Sequence, residues 1–238
     1  MSAAVVDPVR CAAYPRTGLA VLRDVGRCAA VCPITLCMAG VAIVLHLFEQ
    51  AGMNVAALEL RSAAVAAGSV WSIWTGPLLH NSAVHLAFDV AGLLLVGWAF
   101  EPRLRREFPA IIAAVCVGVA TAFIAAYPQL EAYRGLSGLA QGLFAAGLVA
   151  LWHAGQRPSA VLGAGLLVTK WILELAAGAS VTAWLATDAA AFGVPVPWTH
   201  MAGGLSGGVS AWWLGFFRPP QQSFELAAKP PDYAQDVP

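Results

Sequence analysis

The sequence predicts an all-α, polytopic membrane protein built as a bundle of six transmembrane helices. Of its 238 residues, 59% are hydrophobic and only 11% are charged, whereas an ordinary soluble domain has about 25% charged residues. The mean hydropathy is +0.71. Six segments approach the roughly 20 apolar residues that a bilayer span requires. These segments are 29–48, 83–100, 108–127, 136–152, 159–178 and 199–217.

Basic residues flank these spans unevenly, which predicts the orientation of the chain. The side with few of them holds only Arg61 and Arg134 and is expected to face outward. The other side is expected to be cytoplasmic and holds Arg10, Arg16, Arg23, Arg27, Arg103, Arg105, Arg106, Arg157, Arg218 and Lys229. Both termini are therefore expected in the cytoplasm, and the first span is expected to direct insertion because no cleavable signal precedes it.

Three regions follow from this arrangement. Residues 1–28 form a cytoplasmic N-terminal segment, residues 29–217 form the membrane domain, and residues 218–238 form a cytoplasmic tail. The tail is rich in proline and polar residues and is expected to be disordered.

Net charge and cysteine content set further limits on function. The formal net charge is zero and there is no basic tract, so the sequence gives no indication of a nucleic-acid partner. Disulfides are not expected in the cytoplasm or within spans, where the cysteines lie. No ligand-rich segment lies near Cys28, Cys32 and Cys37, so these are interpreted as packing residues, and no metal or cofactor is expected.

Polar side chains cluster at the start of three spans. With the N-terminus inside, the second, fourth and sixth spans all begin at the outer face. Their first turns carry His80, His85 and Asp89, then Ser137, then His200. Ionisable residues inside a membrane usually mark a functional site, and here residues distant in sequence are expected at a common depth.

Glycine spacing predicts which of these helices pack together. Glycines four residues apart allow membrane helices to approach backbone to backbone. Such pairs occur on the fourth and sixth spans: Gly138, Gly142, Gly203 and Gly207. The second pair shares a helical face with His200, so close packing of the two helices would place His200 beside Ser137.

A serine next to a histidine favours acyl-transfer chemistry. Serine becomes nucleophilic when a base removes its proton, and His200 is the candidate base and later the acid. Ser137 begins its helix, where free backbone N–H groups and the helix dipole stabilise a developing oxyanion. His85 is placed to add a side-chain donor.

Three motifs resemble those of the rhomboid intramembrane serine proteases, over roughly residues 71–207. The segment HNSAVHLAFD, from His80 to Asp89, resembles the family pattern His-x4-His-x3-Asn. The segment GLSG at 135–138 resembles the nucleophile motif, and HMAGGLSG at 200–207 resembles His-x2-Gly-x3-Gly. Glu101 falls where the family keeps a glutamate at the cytoplasmic end of the second helix.

The resemblance implies roles for these residues. It implies a Ser137–His200 dyad without a carboxylate as third member. It also implies an oxyanion hole formed by the backbone N–H of Ser137 together with the side chains of His85 and Asp89. His80 would be a structural residue that holds the first outer loop.

Two positions depart from the family pattern. Position 89 is aspartate where the family has asparagine, and Gln141 replaces an aromatic residue on which the base commonly stacks. Because an ionised carboxylate would repel an oxyanion, we expect Asp89 to be a protonated donor. The alternative is an anion that orients His85.

Further features resemble the rhombosortase branch of the family: a core with almost no additional domain, the segments VWSIWTGPLLHNSAVHL and YRGLSG, and the pair Lys170 and Glu174. This resemblance implies a multi-pass protein of the bacterial inner membrane with its active site near the outer face. Its substrates would be exported proteins whose C-terminal signal has Gly-Gly, a membrane span and a basic tail. Cleavage would end in hydrolysis or transpeptidation. Lys170 and Glu174 themselves are interpreted as an i,i+4 ion pair rather than as catalytic residues.

Other functions remain open at this stage. The main alternative is a catalytically inactive rhomboid relative that binds membrane proteins, which Asp89 favours and the presence of Ser137 and His200 disfavours. A small transporter would show an internal repeat, and a metalloprotease would show His-Glu-x-x-His. Neither pattern is present in the sequence.

Overall fold

The computed structural model describes residues 32–181 and 192–216, and helices dominate both ranges. The α-helices are α1 (Pro33–Gln50), α2 (Ser62–Ala66), α3 (Ser72–Thr75), α4 (Ala83–Phe100), α5 (Phe108–Ala126), α6 (Ser137–His153), α7 (Arg157–Ala177) and α8 (Pro197–Phe216). Short 3₁₀ turns at Ala56–Leu58 and Gly76–Leu78 complete the segment between α1 and α4. The all-α fold class predicted from composition is confirmed.

The long helices of the described residues, α1, α4, α5, α6, α7 and α8, lie where the six spans were predicted, with ends that shift by a few residues. Prolines explain several of the starts, because proline is tolerated in the first helical turn, where its missing N–H has no partner within the helix. A proline occupies the first turn of α1, α5 and α7, and Pro197 begins α8. The predicted terminal segments 1–28 and 218–238 lie outside the described residues.

Four of the long helices are long and apolar enough by themselves to cross a membrane: α1, α4, α5 and α7. The other two, α6 and α8, are the helices that begin near Ser137 and His200. Much of α6 is buried within the protein, including Leu139 and Leu143. With 17 residues, α6 is also shorter than each of those four helices.

The closest helix contact in the bundle joins α6 to α8 through glycines. A Cβ added at Gly203 would collide with the carbonyl oxygen of Gly138, and one at Gly207 would collide with that of Gly142. A Cβ at Gly142 would lie 2.7 Å from the carbonyl oxygen of Gly203. The predicted backbone-to-backbone packing of these two helices is therefore present, and it leaves no room for a methyl group.

Glu101 links the C-terminal end of α4 to the start of α1. Its Oε1 accepts a hydrogen bond from the backbone N–H of Ile34 at 2.8 Å. Its Oε2 accepts from the backbone N–H and the hydroxyl of Thr35 at 2.9 and 2.6 Å. A buried carboxylate at a helix N-terminus satisfies N–H groups that have no partner within the helix and interacts favourably with the helix dipole.

Residues 51–82, between α1 and α4, include the loop that the sequence predicts on the outer side and are called the outer segment. This segment contacts the chain that leads into α6. Leu60 and Tyr133 form an isolated antiparallel bridge, with Tyr133 N donating to Leu60 O at 2.9 Å. Trp71 and Trp74 on this segment are exposed, and Trp71 Nε1 donates to the carbonyl of Ala57 at 2.9 Å. Exposed tryptophans with a hydrogen-bonded indole suit the membrane interface.

The glycine contact provides a matched pair of substitutions on α8. Gly207→Ala should lower the free energy of unfolding by about 1–3 kcal/mol, because the added methyl overpacks against α6. Gly208→Ala is the control, since a Cβ there would meet only Ala145 Cβ at 3.8 Å, and alanine is the better helix former. Thermal unfolding in detergent micelles measures both. Equal unfolding temperatures for the two variants would contradict the close contact.

Candidate active site

Ser137 and His200 meet at the start of α6 and α8. The Oγ of Ser137 lies 2.8 Å from Nε2 of His200, the proximity expected from the glycine pattern. Both residues line a cavity of 810 Å³, together with His85 and Asp89 of α4 and residues of the outer segment. The packing of α6 on α8 thus places the two residues at hydrogen-bond distance at a cavity wall.

The turn before α6 presents Ser137 at the first position of that helix. Gly135 has a φ of +122°, a conformation that residues with a side chain rarely adopt. A Cβ at Gly135 would also lie 2.9 Å from the imidazole of His85. Position 135 therefore requires glycine, and the turn it makes leaves the first N–H groups of α6 without partners within the helix.

A third residue, Glu174 of α7, contacts the other side of the histidine ring. Its Oε2 lies 2.8 Å from Nδ1 of His200, and His200 is only 4% exposed. Since a carboxylate oxygen accepts, Nδ1 carries the proton and Nε2 is free to accept from Ser137. This corrects the expectation of a dyad with no carboxylate partner.

Glu174 also forms the ion pair that the sequence predicted. Lys170 Nζ lies 2.7 Å from Oε1 of Glu174. The same oxygen accepts from the backbone N–H of Val181 at 3.0 Å and from the Ser180 hydroxyl at 3.3 Å. Glu174 is fully buried, whereas the Lys170 side chain is 26% exposed. The interpretation of Glu174 as a partner of Lys170 was therefore correct but incomplete.

The signal that would have identified Glu174 is its depth. In the predicted topology the fifth span runs from the cytoplasm outward, so a residue near its C-terminal end is expected at the level where the second, fourth and sixth spans begin. Glu174 is therefore expected at the depth of Ser137 and His200, but the nearby lysine provided a sufficient local explanation for the carboxylate.

Asp89 lies beneath the turn that leads into Ser137. Its Oδ2 accepts a hydrogen bond from the backbone N–H of Leu136 at 2.6 Å. Nε2 of His80 and Nε2 of His85 lie 3.2 and 3.3 Å from the same oxygen. The N–H of Leu136 donates to Oδ2 and His85 Nε2 lies within hydrogen-bond distance of it, which is the environment of a carboxylate that accepts, while His80 Nε2 is close but makes no hydrogen bond among the described residues. These contacts differ from the expected role of Asp89 as a protonated donor to the oxyanion.

The two histidines of this cluster occupy different positions. His80 Nδ1 lies 3.2 Å from the carbonyl oxygen of Leu78 and holds the end of the outer segment. Ser82 caps α4 by accepting from the backbone N–H of His85 at 3.1 Å. With its Nε2 at Asp89, His85 leaves Nδ1 buried and without a hydrogen-bond partner among the described residues.

Gln141 connects two helices. Its Oε1 accepts from the indole N–H of Trp171 at 2.7 Å. The ring of Trp171 lies against α8, where a Cβ at Gly204 would collide with it. Gln141, which stands where the rhomboid resemblance implies an aromatic residue, therefore connects α6 to α7, and through Trp171 to α8.

Charged residues that line the cavity contact the chain just before the turn at Gly135. Arg134 Nη1 lies 2.8 Å from Glu49 at the end of α1, and its Nη2 contacts Glu59. Arg61 also contacts Glu59. Burial would raise the pKa of Glu59, but the hydrogen bonds and charges of Arg134 and Arg61 outweigh it and hold the pKa below its ordinary value.

Within residues 32–181 and 192–216, no group of three or more histidine, cysteine, aspartate or glutamate side chains is arranged to hold a metal ion. The cysteines described there, Cys32, Cys37 and Cys116, form no disulfide with one another.

The family model described as the Rhomboid domain matches residues 67–217. No curated protein matches the chain. The matched range contains every residue of the site described above except the outer glutamates Glu49 and Glu59 and their partner Arg61.

The pKa of Glu59 predicts how stability depends on pH. A carboxyl group with a lowered pKa stabilises the folded state above its unfolded pKa, and this stabilisation is lost as the pH falls through the folded value. The unfolding temperature should therefore drop as the pH falls below 4.5, the ordinary pKa of Glu59. Glu59→Gln should lose less stability over this interval than the wild type.

Glu131→Gln is the matched control, because the side chain of Glu131 is 80% exposed and pairs only loosely, at 3.2 Å, with Arg61. Its stability should follow the wild-type pH dependence. If the unfolding temperature of Glu59→Gln fell with pH as steeply as that of the wild type, the Arg134–Glu59 pair would not be the source of the pH dependence.

Proposed function

The chain belongs to the rhomboid family, and we propose that it is an intramembrane serine protease with Ser137 as nucleophile and His200 as base. The observation that carries the proposal is the 2.8 Å contact between Ser137 Oγ and His200 Nε2. A serine that only packs in a membrane helix usually bonds back to its own helix. This hydroxyl instead faces a buried imidazole at a cavity wall.

The reaction follows from the positions of these atoms. Ser137 Oγ attacks the carbonyl carbon of a substrate peptide bond and passes its proton to His200 Nε2. The carbon–nitrogen bond then breaks, and the imidazolium returns the proton to the leaving amine. The resulting ester on Ser137 is attacked by water or by an amine. His200 takes a proton from that nucleophile and returns it to Ser137 when the ester bond breaks.

Charge develops on the carbonyl oxygen during attack, and the start of α6 is suited to receive it. The N–H groups of the first helical turn point toward such an anion, and the helix dipole favours it. His85 adds a side-chain donor through Nδ1, the nitrogen without a partner. Because its Nε2 faces Asp89, this donation requires His85 as imidazolium.

In this proposal Asp89 acts as an anion. It stabilises a charged His85 and fixes the turn by accepting the N–H of Leu136. It therefore acts through its neighbours and does not contact the oxyanion itself. This is the alternative that the sequence left open, and the contacts of Oδ2 favour it.

The substrate class proposed is membrane-anchored protein. We assign the chain to the rhombosortase-like enzymes, which cleave the C-terminal membrane-anchor signal of exported proteins and release them by hydrolysis or transpeptidation. Its place would be the bacterial inner membrane, among lipids, with both termini cytoplasmic and the cavity near the outer face. Support comes from the Lys170–Glu174 pair, together with the exposed tryptophans of the outer segment.

A serine-directed fluorophosphonate probe tests the nucleophile. The wild type should be labelled, and Ser137→Ala and His200→Ala should each lose labelling, because one removes the attacking oxygen and the other its base. In-gel fluorescence of detergent-solubilised protein measures this.

Ser210→Ala is the control serine on α8, since the Ser210 hydroxyl donates to Gly207 O in its own helix at 3.0 Å. It should label like the wild type. Absence of labelling in a folded wild type would instead favour the inactive relative that binds membrane proteins without cutting them.

The role of Asp89 is tested by Asp89→Asn, which keeps the shape of the side chain and removes its charge. The probe should react more slowly with this variant at every pH, with no gain at alkaline pH, because a neutral amide no longer stabilises a charged His85. The second-order labelling rate as a function of pH is the measurement. A variant that retained wild-type reactivity and held it to higher pH would restore the protonated-donor role.

A further inference from the structure

We propose that Glu174 is a positioning residue for His200, so that the site operates as a Ser137–His200–Glu174 triad in which Lys170 helps to hold Glu174. This inference rests on the proposed protease function. It adds to it a carboxylate on α7 that the rhomboid resemblance does not imply, since that resemblance implies a dyad.

The first support is the line of contacts through the imidazole. Ser137 Oγ lies 2.8 Å from Nε2, and Glu174 Oε2 lies 2.8 Å from Nδ1 of the same ring. A neutral histidine has one donor and one acceptor nitrogen. A carboxylate at Nδ1 selects the tautomer with the proton on Nδ1, which leaves Nε2 as the acceptor that a general base must present.

The second support is how firmly Glu174 itself is held. Its Oε1 contacts Lys170 Nζ at 2.7 Å, Val181 N at 3.0 Å and Ser180 Oγ at 3.3 Å. All three groups donate, so Oε1 is occupied and Oε2 is directed at His200. A buried carboxylate with this many donors is stable as an anion, and an anion is the form that orients and stabilises an imidazolium.

Protons are conserved when Ser137 attacks the substrate. When Ser137 Oγ bonds to the substrate carbon, its proton moves to Nε2 of His200 and the ring becomes positively charged. The proton on Nδ1 remains there and strengthens its hydrogen bond to Oε2, so Glu174 is not protonated. The leaving amine later takes the Nε2 proton, and the ring returns to its neutral tautomer.

Lys170 should act through Glu174 and not on His200 directly. Its Nζ is one of the three donors that hold Oε1, so removing it leaves the contact between Oε2 and Nδ1 of His200 in place. Lys170→Met should therefore cost less rate than Glu174→Gln. A glutamate that served only to hold the fold would show no rate recovery specific to a carboxylate side chain.

The experiment measures the second-order rate of fluorophosphonate labelling against pH, roughly from pH 5 to 8, where histidine titrates. The variants are Glu174→Gln, Glu174→Asp and Lys170→Met, with Ser210→Ala as the control. Other titratable groups near His200 are unchanged in all of them: His85, Asp89, Glu59, Arg61, Glu131, Tyr133, Arg134 and Tyr127. Circular dichroism and gel filtration in detergent establish that each variant is folded.

Three results are expected. Glu174→Gln should lower the plateau rate at least about 100-fold. Glu174→Asp, which keeps the charge, should recover part of that rate. Lys170→Met should lower the rate less than Glu174→Gln does, because Val181 N and Ser180 Oγ still hold Oε1.

The inference is overturned if Glu174→Gln is labelled like the wild type at every pH, an outcome that leaves the protease function intact. If Glu174→Gln does not fold, a folded Glu174→Asp variant that is labelled no faster than His200→Ala overturns it. A folded wild type that the probe does not label refutes the protease function itself.

Discussion

The contact on which the site depends is the approach of α6 to α8 at Gly142 and Gly207, where no side chain separates the two backbones. Lipid tails are as apolar as helix surfaces, so membrane helices associate through close packing and polar contacts rather than by leaving water. Ser137 and His200 begin these same two helices. Their separation is therefore set by the distance between backbones, and a methyl group at the crossing would change it.

Buried carboxylates fix the ends of the helices around this contact. Glu101 accepts backbone N–H groups at the start of α1, and Asp89 accepts the N–H of Leu136 just before α6. Glu174 accepts the N–H of Val181 just after α7. Unpaired backbone groups are costly in a low-dielectric medium, so each carboxylate stabilises a chain segment there. Asp89 and Glu174 also contact histidines of the site. The same carboxylates therefore stabilise the fold and contact the groups proposed to do the chemistry.

The parts of this structure that the sequence predicted are those governed by local or periodic patterns. Apolar runs placed the helices, and glycine spacing with common depth brought Ser137 to His200. The contact between Glu174 and His200 was not predicted, because an ion pair with Lys170, one helical turn away, already accounted for a carboxylate at position 174. The contact between Asp89 and Leu136 depends on the path of the turn at Gly135, which no periodicity encodes. The same holds for the bridge between Leu60 and Tyr133.

The central claim is that helix packing turns one serine of a hydrophobic chain into a nucleophile. The most direct measurement is peptide mass spectrometry of the fluorophosphonate-treated protein, which locates the modified residue and its stoichiometry. The account predicts a single phosphonyl group on Ser137, in the peptide that spans the start of α6. An adduct on another serine, or scattered modification of several hydroxyl groups at low yield, would contradict it.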